Sequence, residues 1–203
     1  NDDEMWIGTR KGGLYVYDMQ FNLKYSRKDY HSNIYAVTRD GEGKVWMGSR
    51  GDGLYIDGVW YRPDASDPES IGNKNIFCVY KDSKDRMWVG TFGGGLDLAI
   101  KDGNRYKFRH FFNDNYNQRQ IRTICEDRNG WIWVGTSRGV YVFNPDELIY
   151  DPSIYYHYSY LKGELRSDEI KYLFSDSEGN MWIATSGFGF SICMPEGDYG
   201  SLK

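Results

Sequence analysis

Short apolar runs recur along the chain at nearly regular intervals, and a tryptophan lies near the start of each. Apolar side chains at consecutive positions indicate a strand buried on both faces, because runs this short cannot form a buried helix. The five runs are Met5-Trp6-Ile7-Gly8-Thr9, Val45-Trp46-Met47-Gly48-Ser49, Met87-Trp88-Val89-Gly90-Thr91, Ile132-Trp133-Val134-Gly135-Thr136 and Met181-Trp182-Ile183-Ala184-Thr185. Their tryptophans lie 40, 42, 45 and 49 residues apart. The pattern predicts five buried strands, one per repeating unit.

Polar and apolar positions around the last four runs keep fixed spacings. An Asp lies six residues before each Trp, and an Ile lies six residues before that Asp. These residues are Asp40, Asp82, Asp127 and Asp176, and Ile34, Ile76, Ile121 and Ile170. A Gly followed by a large or β-branched residue comes after each Trp, as in Gly53-Leu54. Spacings held over several copies mark an internal repeat.

Turn signals divide each unit into strands. The Asp-x-x-Gly segment, as in Asp40…Gly43, favours a tight turn in which Asp takes the first position and Gly supplies a positive φ; Asp85 replaces that Gly in the third copy. These aspartates are better explained as turn formers than as general bases, because their side chains can accept hydrogen bonds from nearby backbone. A second glycine cluster, such as Gly93-Gly94-Gly95, predicts the next hairpin.

Four antiparallel strands in 40 to 49 residues are the size of one β-propeller blade. The predicted fold is therefore all-β: about three complete four-stranded blades (33–74, 75–119 and 120–168) between two partial blades (1–32 and 169–203), without a second domain. Because blades pack on their neighbours, we expect the remaining blades of a longer chain as partners. We also expect the open edges to favour self-association, as a homodimer.

Composition narrows the possible functions. Aromatic residues make up 17% of the chain and Gly is abundant, which favours strands and tight turns. The net charge of −4, with no basic block, gives no support to nucleic-acid binding. No apolar run approaches the roughly 18 residues of a membrane span. The three cysteines are too scattered for a zinc site or disulfide framework. Cys78 and Cys125 are expected to be buried, and exposure stays open for Cys193.

The pattern Ile-x5-Asp-x-x-Gly-x-φ-Trp-φ-Gly-Thr-x-x-x-Gly-φ resembles the two-component regulator propeller repeat, from Met5 to Phe190. The resemblance implies a periplasmic sensor region of an inner-membrane hybrid histidine kinase, of the kind found in gut Bacteroidetes. Such regions detect oligosaccharides and switch on the transcription of glycan-utilisation genes. It also implies a β-sandwich, a membrane helix and a kinase elsewhere in the parent chain, and a ligand-binding module without enzymatic activity here.

One end of the predicted blades collects the loops that follow the tryptophan strands. The candidate ligand-binding residues in these loops are Arg10, Arg50, Phe92, Arg138 and Phe188. Arginine can clamp a carboxylate or sulfate, and aromatic rings can stack on apolar sugar faces, so the set suits an anionic sugar. The alternative is that these arginines are simply exposed to solvent, as loop residues usually are, and bind no ligand. The tyrosines at 150, 155, 156, 158 and 160 are predicted to follow an outer strand, either half-buried or as a surface for a glycan or partner.

Catalytic and metal motifs are missing from the sequence. His31, His110 and His157 are predicted on outer strands, and none belongs to a recognisable catalytic or metal motif. We therefore expect no cofactor, no metal and no catalytic residue. Two other classes of function stay open: a protein-interaction scaffold and a propeller lyase or hydrolase.

Overall fold

The computed structural model describes residues 3–27, 33–114, 118–195, 197 and 199. Within those residues the strands form five antiparallel sheets, three of four strands between two of three strands. In each sheet, strands that are adjacent in sequence are hydrogen-bonded to one another. The predicted fold class, an all-β propeller with three four-stranded blades between two partial ones, is confirmed. His31 lies outside the described residues.

The strands follow the repeat. The first sheet contains β1 (Glu4–Gly8), β2 (Leu14–Asp18) and β3 (Leu23–Arg27). The second contains β4 (Asn33–Arg39), β5 (Val45–Arg50), β6 (Leu54–Ile56) and β7 (Val59–Tyr61). The third contains β8 (Ile76–Lys81), β9 (Met87–Thr91), β10 (Leu96–Asp102) and β11 (Arg105–Phe111). The fourth contains β12 (Ile121–Glu126), β13 (Ile132–Thr136), β14 (Gly139–Phe143) and β15 (Tyr156–Tyr158). The fifth contains β16 (Ile170–Ser175), β17 (Met181–Thr185) and β18 (Phe190–Cys193). We call these sheets blades 1 to 5.

A short helix interrupts blade 4 where the sequence predicted an outer strand. Helix α1 (Pro145–Tyr150) begins after Asn144, whose side chain accepts a hydrogen bond from the backbone N of Asp146 at 3.0 Å. Proline at the first helical position fits this start, because its missing N–H would have no partner there. The placement of Tyr150 on an outer strand was wrong: it ends α1 and is 90% exposed.

The repeated aspartate joins the turn and the tryptophan strand of its blade. In blade 4, Asp127 Oδ1 accepts hydrogen bonds from the backbone N of Asn129 and Trp131, at 2.9 and 3.0 Å. Its Oδ2 accepts from Trp133 Nε1 at 2.8 Å. The same indole-to-carboxylate bond joins Trp46 to Asp40, Trp88 to Asp82 and Trp182 to Asp176, at 2.9, 2.9 and 2.8 Å. These aspartates are therefore turn formers, and Asp85 has the positive φ of 62° that its turn position requires.

Glycine in the tryptophan strand lets adjacent blades interlock. A Cβ added to Gly135 would lie 2.6 Å from Cγ2 of Ile170, which opens the innermost strand of the next blade. The same relation, at 2.6 to 2.7 Å, holds for Gly8 with Ile34, Gly48 with Ile76 and Gly90 with Ile121. The buried clusters each draw on two neighbouring sheets, with Trp46, Trp88 and Trp133 fully enclosed. The glycine of the tryptophan strand and the repeat isoleucine of the next blade thus hold adjacent blades against one another.

Candidate functional site

The hairpins that follow the tryptophan strands lie over the beginning of the next innermost strand. Backbone hydrogen bonds run from Gly53 N to Lys74 O at 2.9 Å and from Gly139 N to Asp168 O at 2.7 Å. A bond from Ile34 N to Thr9 O, at 3.1 Å, joins blades 1 and 2 in the same region. We call this end of the blades the upper face. Its loops and the tops of the innermost strands form one surface.

Each of the innermost strands β4, β8, β12 and β16 contains one residue that its neighbour does not pair with. In β4 the ladder passes from Ile34 opposite Ser49 to Ala36 opposite Gly48, which leaves Tyr35 unpaired. The same register shift follows the repeat isoleucine in the other three strands. The unpaired residues are Tyr35, Phe77, Arg122 and Lys171. A bulge of this kind re-aims a side chain, and bulges are frequent beside functional sites.

Three of these residues, Tyr35, Phe77 and Arg122, form a continuous row together with the ring of Phe92. The rings of Tyr35 and Phe77 stack with centroids 4.9 Å apart and planes inclined by 19°. Phe77 stacks in turn on Phe92, from the hairpin after β9, at 4.9 Å and 27°. The Arg122 guanidinium carbon lies 5.3 Å from the Phe92 ring centroid. The row therefore crosses blades 2, 3 and 4 in one sequence of face-to-face contacts.

Charged groups continue the row toward blade 5. Arg122 Nη2 lies 3.2 Å from Glu169 Oε1, and Lys171 Nζ lies 2.7 Å from the same oxygen. Arg122 Nε also donates to Ser137 Oγ at 3.3 Å. The hydrogen bond from Lys171, assisted by the nearby Arg122 charge, holds the pKa of Glu169 below its ordinary value of 4.5. This end of the row is therefore ionised at neutral pH and carries one net positive charge from two cations and one anion.

We call Tyr35, Phe77, Phe92, Arg122 and Lys171 the axial arc. Tyr35, Phe77 and Arg122 line a channel of about 560 Å³ between the innermost strands of blades 2 to 5. A channel of that size is in the range of small-ligand sites. The arc offers the exposed ring of Tyr35 and the edges of the stacked rings at one end, and hydrogen-bonding cations at the other.

Of the loop residues predicted from sequence, Phe92 belongs to the axial arc. Arg10, Arg50 and Arg138 are exposed on the hairpins of blades 1, 2 and 4, and among the described residues none of their side chains forms an ion pair. Phe188 is 62% exposed on the hairpin of blade 5. By their place in the blades, these four residues belong to the same upper face as the arc. Their role in binding stays a proposal.

Sequence reasoning missed Tyr35, Phe77, Arg122 and Lys171, although a signal was present. Each directly follows the repeat isoleucine, so the four occupy one register position. That position takes two aromatics and two cations while the isoleucine before it does not vary. A polar or aromatic residue in every copy of an otherwise apolar strand is the mark of a position that does not serve the core.

A second cleft lies between the segment 62–75 and the hairpin of blade 3. It has a volume of about 480 Å³ and is edged by His110, Arg119 and the backbone of Gly93 and Gly94. The two nitrogens of His110 both face acceptors, Asp97 Oδ1 at 2.6 Å and the carbonyl of Pro68 at 3.0 Å. This arrangement fastens the segment to the outer strand of blade 3.

The buried pair behind that cleft holds its proton strongly. Asp97 is fully buried and its second oxygen accepts a hydrogen bond from Gly72 N at 2.8 Å. The hydrogen bond to Asp97 raises the pKa of His110, and burial raises the pKa of Asp97. Both shifts keep the shared proton on the pair, which leaves His110 as a structural clamp.

The part of the chain that the structure describes contains neither a metal-binding cluster nor a helix able to span a membrane. No group of three or more His, Cys, Asp or Glu side chains there is placed to hold a metal ion. His157 is part of the fold: its Nε2 donates a hydrogen bond to the carbonyl of Arg138 at 2.7 Å, and its ring stacks on Tyr141. None of the described helices has the length and apolar character needed to cross a bilayer.

Solved structures of other proteins share this architecture. The chain resembles the β-propeller domain of Cps50 (Swd1) from Myceliophthora thermophila, with a TM-score of 0.69, 12% identity, and coverage of 100% of this chain and 65% of the other. It also resembles PorZ, a surface component of the type-IX secretion system of Porphyromonas gingivalis, with a TM-score of 0.65, 15% identity, and coverage of 94% and 31%. The protein is a β-propeller.

The repeats define the kind of propeller. Residues 70–93, 115–138 and 164–187 each match the two component regulator propeller family. The chain thus carries repeats that match those of two-component regulator propellers. The extracellular domain of the putative hybrid two component system BT4673 from Bacteroides thetaiotaomicron is 23% identical over 94% of this chain and 26% of that one, with a TM-score of 0.44. The chain thus spans about a quarter to a third of the first two of the matched structures. No curated protein matches it.

Proposed function

We propose that this propeller is the extracytoplasmic, oligosaccharide-binding part of a hybrid two-component sensor, and that ligand binds at the axial arc. In this proposal the parent chain is an inner-membrane histidine kinase that controls the transcription of glycan-utilisation genes, and the propeller lies in the periplasm. The family supports a sensor role, because its repeat is that of two-component regulators. The carrying observation is the row of stacked rings that ends in a guanidinium and an ammonium group.

The chemistry of the arc suits a saccharide. A sugar ring presents an apolar face that can stack on an aromatic ring, and its hydroxyl or carboxylate groups can accept hydrogen bonds from arginine and lysine. The three rings come from separate loops and strands yet are fixed against one another, so little side-chain entropy is lost on binding. Arg10, Arg50, Arg138 and Phe188 would then add contacts around the rim for a longer oligosaccharide.

A signal can leave this site through the blades. The axial arc draws residues from blades 2 to 5, so a ligand across it favours one relative packing of those blades. A bias of that kind shifts the population of two arrangements of the propeller against its neighbouring domain or a second copy. Binding rather than turnover is the proposed activity of this segment.

The experiment is a calorimetric titration of the protein with a panel of neutral and acidic oligosaccharides. We expect Phe77→Ala to weaken binding about tenfold or more, because a stacked anchor in a ring-lined site is a typical hot spot. The double variant Arg50→Ala with Arg138→Ala is the matched control for the rim. An exposed charge contributes typically about 0.5 kcal/mol, so loss of both arginines, about 1 kcal/mol together, should weaken binding only about five-fold.

The outcomes separate the sites and the classes of function. If the double arginine variant lost binding while Phe77→Ala bound as tightly as the wild type, the site would lie in the loops and not at the arc. Binding of no saccharide, together with capture of a protein partner that Phe77→Ala abolishes, would favour an interaction scaffold instead. Chemical change of a bound oligosaccharide during the titration would contradict a purely sensory role.

A further inference from the structure

We propose that Arg122 and Lys171 form a carboxylate-binding subsite, which Glu169 fills in the free protein and which a uronate residue of the ligand takes over on binding. The inference rests on the proposed function and names the ligand class of that site, an oligosaccharide containing uronic acid. It also gives Glu169 a role as an internal competitor.

The geometry at this end of the arc is that of a bound carboxylate. Two cations from adjacent blades converge on one oxygen, Glu169 Oε1, at 3.2 Å from Arg122 and 2.7 Å from Lys171. The guanidinium is fixed from two other directions, by the Phe92 ring below it and by Ser137 Oγ. Arg122 is therefore held in place whether or not the carboxylate that it binds is that of Glu169.

Exposure makes the internal carboxylate replaceable. The Glu169 and Lys171 side chains are 43% and 46% exposed, whereas Arg122 is 22% exposed. An ion pair this open to water contributes little stability, because solvent screens it and the side chains lose entropy. A uronate that is part of an oligosaccharide gains contacts with the ring edges of the arc and with the exposed ring of Tyr35, which Glu169 cannot make. The ligand carboxylate should therefore displace Glu169 at modest cost.

Displacement of the Glu169 side chain would act on a segment that is hydrogen-bonded to the hairpins of two blades. Its backbone carbonyl accepts a hydrogen bond from Ser186 N at 2.9 Å, in the hairpin of blade 5. The preceding residue, Asp168, accepts from Gly139 N in the hairpin of blade 4 at 2.7 Å. A carboxylate exchange at the arc therefore acts on a segment that ties both upper hairpins together.

The test compares acidic probes with neutral counterparts of the same shape. The probes are trimers of galacturonate and of glucuronate, together with their fully methyl-esterified forms, titrated into the protein and its variants. We expect the wild type to prefer at least one acidic trimer over its ester. Glu169→Gln should bind that trimer several-fold more tightly, since two cations then lack an anion, and should bind the ester unchanged. Arg122→Gln should lose the preference for the acid.

A second glutamate of blade 5 provides the control for net charge. Glu178 lies in the exposed turn at the other end of the blade, so Glu178→Gln removes the same charge away from the arc and should leave both affinities unchanged. Equal tightening by Glu178→Gln and Glu169→Gln would overturn the subsite in favour of a general charge effect. Equal binding of acids and esters by the wild type would overturn the uronate inference and leave the saccharide proposal intact. Absence of binding for all four probes would also overturn it, and only failure of the wider neutral panel would remove the proposed function.

Discussion

Replacement of Asp127 by alanine removes four hydrogen bonds at one point of the fold. Asp127 is 5% exposed, and Trp133, which donates to its Oδ2, is fully buried. Tyr199 Oη donates to the same oxygen at 2.6 Å, and Tyr199 is 3% exposed. The other two donors are backbone N–H groups of the turn itself. In Asp127→Ala the two buried donors are left without a partner and without access to water.

The expected loss follows from those two groups. A buried donor that loses its partner costs about 1–3 kcal/mol, so the two together give about 2–6 kcal/mol. The turn amides are nearer the surface and can find water, so they add less. A loss of about 4 kcal/mol is a large part of the roughly 5–15 kcal/mol that stabilises a typical domain. The Asp127→Ala variant should therefore fold poorly, or unfold at a much lower urea concentration than the wild type.

Urea unfolding followed by tryptophan fluorescence measures the effect, with Asp176→Ala as the matched variant. Asp176 accepts from the same three positions of its own blade, but neither it nor Trp182 is fully buried. Water can replace the lost bonds there, so the midpoint should move less than in Asp127→Ala. Equal shifts of the two midpoints would refute the argument, because burial of the orphaned donors would then make no difference.

Three further predictions concern packing, thiols and pH. Gly135→Ala places a Cβ 2.6 Å from Ile170 and should cost about 1–3 kcal/mol, seen as a lower melting temperature; an unchanged value would mean that the blades are not interlocked there. Cys193, whose pKa burial raises to about 11, should react with a thiol reagent only after denaturation, and rapid labelling of the native protein would contradict this. The bond to Asp97 raises the pKa of His110 above 6.5, so its stabilising effect is complete below pH 6.5 and is lost as pH rises through the folded-state value. Exchange of the Gly72 amide should therefore accelerate with pH more steeply than in His110→Gln, and equal profiles would exclude the clamp.

The frame of the fold could be predicted because its determinants are local and repeat. Turn, tryptophan strand and hairpin each have a signal within a few residues, and several copies agree on the spacing. The aspartate could be assigned to the turn, yet its bond to the indole six residues later was not foreseen, because it depends on how the hairpin folds back on itself. The contact of Gly135 with Ile170 was not predicted either, because it depends on how two blades pack together.

Helix α1 shows where the repeat itself misled. The outer strand of blade 4 was expected to include Tyr150, but this strand, β15, begins only at Tyr156, after the helix. The local signal was opposed to it: Asn144 followed by proline and two acidic residues is a typical helix start. The environment favours the helix too, because its Asp146 pairs with Lys84 and Arg86 of blade 3. A local capping signal and a contact between blades outweighed the periodic expectation.

The axial arc could not be found from hydrophobic pattern, because its residues depend on an irregularity of the ladder. In a regular strand the residue after the repeat isoleucine would point toward a neighbouring blade, where arginine or lysine would be costly to bury. The bulge removes that residue from the packed faces, so Arg122 and Lys171 can stand where Tyr35 and Phe77 stand in earlier copies. Residues that interlock the blades are held constant, and the residue beside them is released from packing. The bulge therefore leaves one position in each of β4, β8, β12 and β16 able to change its chemistry. Those positions meet on the upper face, where stacked rings and paired cations are found together.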